Sequence, residues 1–217
     1  MSERRSARRR DLVKYRAVIF DLGGVVLSSP FASIRRFERA AGLDGGAVQR
    51  VIMAGGDEGA WAMFERGECG AEQFYAALDA EAVRTGTPFS ARSLLETIVE
   101  NASVRPEMIA AIRKLRADGI KAAALTNNWR SRDTSYGAMG SLQEEFDLIV
   151  ESCKVGLRKP DRRIYAFALR ELGIPAGEAI FLDDMGENLK PARAMGMTTI
   201  KVDDPGVALA ELEALLV

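Results

Sequence analysis

Five short apolar runs recur along the chain, and segments with a different, helical pattern separate most of them. Runs this short that are rich in β-branched, aromatic or small apolar side chains predict strands buried on both faces, as in a parallel sheet. Between the later runs, apolar residues recur every three or four positions, which predicts helices. Strands that alternate with helices indicate an α/β fold with a parallel sheet. The predicted strands are Ala17–Phe20, Lys121–Leu125, Asp147–Val150, Ala179–Leu182 and Thr198–Val202.

The stretch from about residue 30 to residue 103 has helical periodicity and no strand run. Glycines interrupt it at several points, so we expect four or five short helices inserted between the first two strands. Because this insert follows the first strand directly, we expect it to lie over the end of the sheet, where it can exclude water and select a substrate. Trp61 and Phe64 lie three residues apart within it. They fit core positions, and a pocket lining is the alternative.

Polar side chains follow several of the predicted strands. Asp21 comes directly after the first strand, and Gly23 and Gly24 then allow the backbone to turn sharply. Open α/β sheets bind their ligands outside the carboxyl ends of the strands, so we expect the polar groups to converge there. A lysine in the loop after the third strand adds a positive charge nearby. The remaining candidates are Thr126, Asn127, Lys159, Asp183 and Asp184.

These groups together favour one kind of chemistry. Three carboxylates that lie close together repel one another unless a cation lies between them. No histidine or cysteine is placed to bind a softer metal, so the oxygen ligands favour Mg²⁺. Lys159 offers a compact positive charge for a phosphate group, and the Thr126 hydroxyl and Asn127 amide can hold phosphoryl oxygens. Asp21 is then available as a nucleophile that forms an aspartyl-phosphate.

Composition excludes several classes of function. The 217 residues include no histidine, which excludes Ser-His, Cys-His and zinc-His catalysis. The formal net charge is −1 and no apolar run is long enough to span a bilayer, so we expect neither a nucleic-acid nor a membrane partner. Cys69 and Cys153 match no metal spacing, which indicates buried free thiols in a reducing cytoplasm. The basic residues 1–14 predict a flexible tail, and we expect no signal peptide.

Four segments carry a family resemblance, and they are Asp21–Val25, Leu125–Asn127, Lys159–Asp161 and Phe181–Asp184. In this order they resemble the four motifs of the haloacid dehalogenase-like hydrolase superfamily, over about residues 15–217. A closer resemblance is to the phosphatase-like N-terminal domains of soluble epoxide hydrolase and of certain acyl-CoA dehydrogenase family members. The resemblance implies a Rossmann-like core, residues 15–29 and 104–217, with an all-helical cap domain, residues 30–103.

The resemblance also implies a role for each candidate residue. Asp21 would be the nucleophile and a metal ligand, and the Gly23 carbonyl would face the same Mg²⁺. Asp184 would bind the metal directly, and Asp183 directly or through water. Lys159 would stabilise the nucleophile and the phosphate, and the protein would act as a monomer or homodimer. The phosphoryl group of a small phosphorylated metabolite would be held by Thr126, Asn127, Gly23 and Gly24.

One position departs from the family pattern. Phosphatases of this superfamily usually carry a second aspartate two residues after the nucleophile, where this chain has Gly23. A positioned acid or base contributes about 10²–10⁴-fold to a rate, so its loss predicts slow turnover. Two alternatives stay open: a 2-haloacid dehalogenase, against which the Asp183–Asp184 pair argues, and a catalytically weak protein that binds phosphate and metal. The motif order argues against a phospho-receiver domain, whose acidic pair precedes the phosphorylated aspartate.

Overall fold

A sheet of five parallel strands lies at the centre of the structure, a computed structural model that describes residues 14–130 and 142–217. The strands are β1 (Ala17–Phe20), β2 (Lys121–Thr126), β3 (Leu148–Glu151), β4 (Ala179–Asp183) and β5 (Thr198–Lys201). They lie in the order β3-β2-β1-β4-β5, which confirms the predicted parallel α/β fold. Because β1 lies between β2 and β4, the residues that follow these three strands meet at one edge.

Five α-helices fill residues 30–103, and the structure describes all of this stretch. They are α1 (Pro30–Ala40), α2 (Ala47–Gly55), α3 (Ala60–Glu65), α4 (Ala71–Arg84) and α5 (Ala91–Glu100). We call residues 30–103 the helical insert. It buries an apolar cluster of its own, in which Phe64 packs with Phe74 and Leu94. The expected short helices are thus confirmed, and Phe64 is a core residue.

The helical insert leaves the sheet and returns to it through two neighbouring connections. Leu27 and Val104 form an antiparallel β-bridge. Beside it, the Ser28 N–H donates to the Ser103 carbonyl at 2.8 Å. The predicted boundaries of the cap lie at these connections. The division into tail, core and cap domains stays a prediction, and residues 1–13 of the predicted tail lie outside the described residues.

Helices cover both faces of the sheet. Those outside the insert are α6 (Pro106–Ala117), α7 (Ser152–Val155), α8 (Arg162–Leu172), α9 (Gly186–Ala194) and α10 (Pro205–Leu216). Val18 and Phe20 of β1 pack with residues of α6 and α10, whereas Ala17 and Ile19 pack with residues of α8 and α9. Burial on both faces explains why β1 is apolar throughout. Among the described residues, no helix combines the length and the apolar character that a bilayer crossing requires.

Two local details differ from the sequence expectations. Pro160 suits the first turn of a helix, but α8 begins at Arg162, because the Asp161 carboxylate accepts a hydrogen bond from the Arg163 N–H at 2.9 Å and caps it. Residues Leu22–Val26 form a π-helical turn that the apolar pattern does not predict. The backbone angles depart from helical values at its two glycines, so no helical periodicity reveals it.

Both cysteines are free thiols. Cys153 is buried and Cys69 is half-buried. Burial raises the pKa of both thiols above the usual value. Neither is therefore activated as a nucleophile at neutral pH.

We expect Glu38→Ala to lower the free energy of unfolding by about 1–3 kcal/mol, the usual cost of leaving buried donors unpaired. Glu38 is 1% exposed, and its carboxylate accepts hydrogen bonds from the N–H groups of Gly46 and Val48 at 3.0 and 2.9 Å, at the start of α2. Urea denaturation measures the change. The exposed Glu100→Ala is the control, expected within about 0.5 kcal/mol of wild type. Equal losses in both variants would contradict this role of Glu38.

Candidate active site

Asp21 lies at the carboxyl end of the central strand. Its backbone N–H donates to the Leu182 carbonyl of β4 at 2.8 Å, which fixes the residue where β1 and β4 end. Its Oδ1 accepts a hydrogen bond from the Leu22 N–H at 2.7 Å. The carboxylate is buried. The predicted nucleophile is thus held in a defined orientation at the edge of the sheet.

A buried lysine joins two of the candidate carboxylates. The Lys159 ammonium lies 2.8 Å from Asp21 Oδ1 and 2.7 Å from Asp183 Oδ2. Only 1% of the lysine surface is exposed. Lys159 belongs to the loop between α7 and α8, so it reaches the ends of β1 and β4 from a separate part of the chain. The structure therefore brings together three of the residues that the sequence singles out.

Asp183 is fully enclosed and anchors the lysine. Besides Lys159, its carboxylate accepts hydrogen bonds from the Met185 N–H at 2.8 Å and from Asn188 Nδ2 at 3.0 and 3.1 Å. These donors occupy both oxygens, which favours contact with a metal through water over direct binding. Asn188, on α9, is a site residue that the sequence analysis missed. The only sequence signal for Asn188 was its place as a polar residue in the helix that follows Asp183 and Asp184.

Asp184 faces the loop after β1. Gly24 in that loop has a φ of 80°, and a Cβ atom there would overlap with Asp184 Oδ2. Glycine permits both the backbone angle and this close approach. One oxygen from each of Asp21, Asp183 and Asp184 lies within 4.8 Å of the others. This cluster of oxygen atoms suits a shared divalent cation.

Crowding and burial change the acidity of the cluster. Burial raises the pKa of Asp21 to about 7, although Lys159 lowers it. Burial and the neighbouring Asp183 raise the pKa of Asp184 to about 6. Burial alone would lower the pKa of Lys159, but the Asp21 and Asp183 carboxylates raise it above the usual value. One ammonium therefore does not balance the three carboxylates, whereas a divalent cation would favour their ionised forms.

Thr126 is the last residue of β2 and Asn127 follows it, next to the central strand. Thr126 is buried. The Asn127 side chain binds the backbone of Lys159 at two points: Nδ2 donates to the Lys159 carbonyl at 3.1 Å, and Oδ1 accepts from the Lys159 N–H at 2.8 Å. The Asn127 amide thus positions the lysine loop. A role in holding a phosphoryl group would fall to the Thr126 hydroxyl and the backbone around it.

Gly23 occupies the place where the family pattern has an acid. Its φ of −65° and ψ of 124° are open to any residue. The nearest atom to a Cβ at this position would be Pro30 Cδ at 3.6 Å, an ordinary van der Waals distance. Position 23 therefore does not require glycine, whereas position 24 does. The backbone therefore has room for the missing acid.

Glu65, the last residue of α3, is a contact from the helical insert that the sequence analysis did not predict. Its side chain is buried, and Oε2 accepts hydrogen bonds from Arg158 Nε at 2.7 Å and from Asn127 Nδ2 at 3.3 Å. No local pattern marks such a pairing. The available signal was an acidic residue directly after the aromatic positions of α3.

Comparison with known proteins places the chain among hydrolases. A family model described as haloacid dehalogenase-like hydrolase matches residues 15–196. Acyl-CoA dehydrogenase family member 10 from Mus musculus is 41% identical over 93% of this chain, and bifunctional epoxide hydrolase 2 from Sus scrofa is 34% identical over 91%. The chain spans only 19% and 38% of the lengths of these two proteins. A sesquiterpene phosphatase from Aspergillus oryzae is 27% identical over 93% of this chain and 97% of its own length.

Solved structures share the fold. A dehalogenase with an intermediate complex has a TM-score of 0.67 at 22% identity, over 94% of this chain and 98% of its own. A HAD family enzyme from Bacteroides thetaiotaomicron, in complex with magnesium and inorganic phosphate, has a TM-score of 0.61 at 17% identity, over 86% and 93%. At these identities the likeness concerns the fold alone.

The two neighbouring glycines should respond differently to the same substitution. Gly24→Ala should lower the free energy of unfolding by about 1–2 kcal/mol, the cost of a left-handed backbone at a residue with a Cβ atom. It should also weaken Mg²⁺ binding, because the new methyl group displaces Asp184. Gly23→Ala is the control and should be neutral or stabilising by up to about 1 kcal/mol. Urea denaturation and calorimetric Mg²⁺ titration measure both effects, and equal results for the two variants would refute the close approach at Gly24.

Proposed function

The chain belongs to the haloacid dehalogenase-like hydrolase family, and from this we propose that it is a Mg²⁺-dependent phosphomonoesterase of small phosphorylated metabolites. The observation that carries the proposal is Lys159 between Asp21 and Asp183, with Asp184 beside them. This arrangement offers a nucleophile, a positive charge for phosphate and oxygen ligands for a cation. In this proposal the protein acts in the cytoplasm as a monomer or homodimer, without a nucleic-acid or membrane partner.

Asp21 is the nucleophile in the proposed reaction. Among the described residues, both polar contacts to its side chain end on Oδ1, so Oδ2 is the oxygen available for attack. A bond forms between Oδ2 and phosphorus while the bond between phosphorus and the alcohol oxygen breaks, and the leaving oxygen takes a proton from solvent water. Water then cleaves the acyl-phosphate, which releases inorganic phosphate and restores the carboxylate. Lys159 offsets negative charge on the transferred group.

The side chains at the sheet edge fit Mg²⁺. Asp21 and Asp184 would hold the ion directly and Asp183 through water, because other donors occupy the oxygens of Asp183. Burial first, and then the neighbouring carboxylates, raise the pKa values of Asp21 and Asp184, and Lys159 offsets this only in part. The Gly23 carbonyl is the further ligand that the family resemblance implies. When bound, Mg²⁺ supplies charge compensation for the phosphoryl oxygens.

An apolar alcohol is the leaving group that the surroundings of the site favour. Trp129 follows the end of β2 by three residues, and its ring stacks on Phe64 with 5.8 Å between centroids. Trp61 lies edge-on to Trp129 at 6.1 Å. Aromatic side chains beside a polar site offer an apolar surface for the alcohol part of a phosphate ester. The relative named as a sesquiterpene phosphatase supports the same substrate class.

Two alternatives predict different products. A 2-haloacid dehalogenase would also form an ester on Asp21 but would release halide without a metal. The fold is compatible with this candidate, and the Asp183–Asp184 pair argues against it. A catalytically weak phosphate-binding protein would keep Asp21 phosphorylated, because Gly23 supplies no base to activate water.

A screen of aryl, isoprenyl and sugar phosphates, with Mg²⁺ and with chelator, tests the proposal. We expect Mg²⁺-dependent phosphate release by the wild type and background rates for Asp21→Asn, because an amide cannot form the acyl-phosphate. The exposed Asp118→Asn is the matched control and should keep wild-type rates. Circular dichroism checks that each variant is folded. Substantial phosphate release by Asp21→Asn would refute the mechanism, and chloride release from a 2-haloacid in chelator would favour the dehalogenase.

Gly23→Asp should speed the turnover of alkyl phosphates, up to the roughly 10²–10⁴-fold that a positioned acid or base contributes. Aryl phosphates have good leaving groups, so the wild type should phosphorylate Asp21 quickly and then stall, giving a burst of product. Gly23→Asn is the control, since it has the same shape without the acid. Rates are compared after circular dichroism shows both variants folded. If Gly23→Asp is no faster than Gly23→Asn on alkyl phosphates, another group already supplies the acid.

A further inference from the structure

Glu65 connects the helical insert to the core through hydrogen bonds from three side chains. Its Oε1 accepts from Trp61 Nε1 at 2.9 Å, within the insert. Its Oε2 accepts from Arg158 Nε at 2.7 Å and from Asn127 Nδ2 at 3.3 Å, both in the core. Glu65 is 8% exposed and the Arg158 side chain 24%, so the charged pair is partly shielded from water.

Asn127 connects Glu65 to Lys159 through hydrogen bonds. Its amide group holds both the N–H and the carbonyl of Lys159, at 2.8 and 3.1 Å. The Lys159 ammonium in turn contacts Asp21 at 2.8 Å. A continuous path of polar contacts therefore runs from α3 of the insert through Glu65, Asn127 and Lys159 to the nucleophile. Arg158, the residue before Lys159, ties the same loop directly to Glu65.

The insert is closely seated on the core at this point. The Ser152 hydroxyl donates to the Glu65 carbonyl at 2.6 Å. A Cβ atom at Gly67 would overlap with the Cys153 carbonyl oxygen, so the backbones themselves are in contact. Glu65 can make its core contacts only when this seating is in place.

We propose that Glu65 is a positioning residue, which aligns Lys159 through Asn127 and Arg158 only while the helical insert is seated on the core. The part of this inference that concerns catalysis rests on the proposed function, since it assigns Lys159 to phosphoryl transfer. If the insert lifts, Arg158 and Asn127 lose the shared carboxylate and the lysine loop loses one of its restraints. Charge stabilisation at Asp21 is thereby coupled to closure of the site.

The test compares Glu65→Ala and Glu65→Gln with Glu38→Gln, a buried glutamate of the same insert whose hydrogen bonds stay within the insert. Hydrogen exchange by mass spectrometry reports on the segment around Lys159, whose N–H is bonded to Asn127. Tryptophan emission is a supporting reading for the contact between insert and core, where Trp61 and Trp129 are 6.1 Å apart. Because Trp61 also donates directly to Glu65, hydrogen exchange is the deciding reading. Initial rates with an aryl phosphate and Mg²⁺ give kcat and KM.

We expect Glu65→Ala to speed exchange around Lys159, to shift tryptophan emission to longer wavelength and to lower kcat about 10–100-fold with little change in KM, the range expected for a misplaced catalytic group. Glu65→Gln should lie between Glu65→Ala and wild type, because a glutamine oxygen still accepts from Asn127. Glu38→Gln should leave all three readings near wild type.

Unchanged exchange around Lys159 in Glu65→Ala, or in Glu65→Gln should the alanine variant not fold, would overturn the proposal. A loss of kcat no larger than that of Glu38→Gln would overturn it as well. If the wild type hydrolyses no phosphomonoester, the proposed function fails. The exchange reading then decides by itself whether Glu65 couples the insert to the lysine loop.

Discussion

The buried ammonium of Lys159 is the interaction on which the rest of the site depends. A lysine charge away from water is costly unless carboxylates compensate it, and here Asp21 and Asp183 do so at 2.8 and 2.7 Å. Asp21 directly follows β1, Asp183 ends β4 and Lys159 lies in the loop after α7. The lysine can be buried only when β4 lies beside β1 in the right register. The strand order that forms the sheet is therefore also the order that brings the residues of the site together.

The protein alone brings the side chains of the site together, but it does not balance their charges. Three carboxylates surround one ammonium, and two of them have raised pKa values. The loop after β1 allows this crowding, because the glycine at position 24 lets Asp184 approach the backbone closely. The same loop holds no acid at position 23. In the proposed reaction the protein thus supplies a nucleophile and a positive charge for the phosphate, and proton transfer is the step it supports least.

The sequence pattern predicts the fold and the acidic residues well, because both depend on local features. A strand buried on both faces must be apolar, and a polar residue at its end stands out against it. Glu65 and Asn127 are 62 residues apart, and no local pattern predicts their contact. The π-helical turn after β1 depends on two glycine conformations that periodicity does not encode. Assigning the Asn127 side chain to the lysine loop likewise needed the three-dimensional structure.

The paired connections of the helical insert have an evolutionary consequence. Because Leu27 and Val104 are bridged, the chain leaves and re-enters the sheet at nearly the same point. A segment with adjacent ends can be lengthened, shortened or replaced by recombination at a small cost in loop-closure entropy. The pairing of β1 with β2 does not depend on what lies between them. New substrate specificities can therefore arise by replacement of the helical insert while the core stays unchanged. The replacement must also provide a partner for the lysine loop.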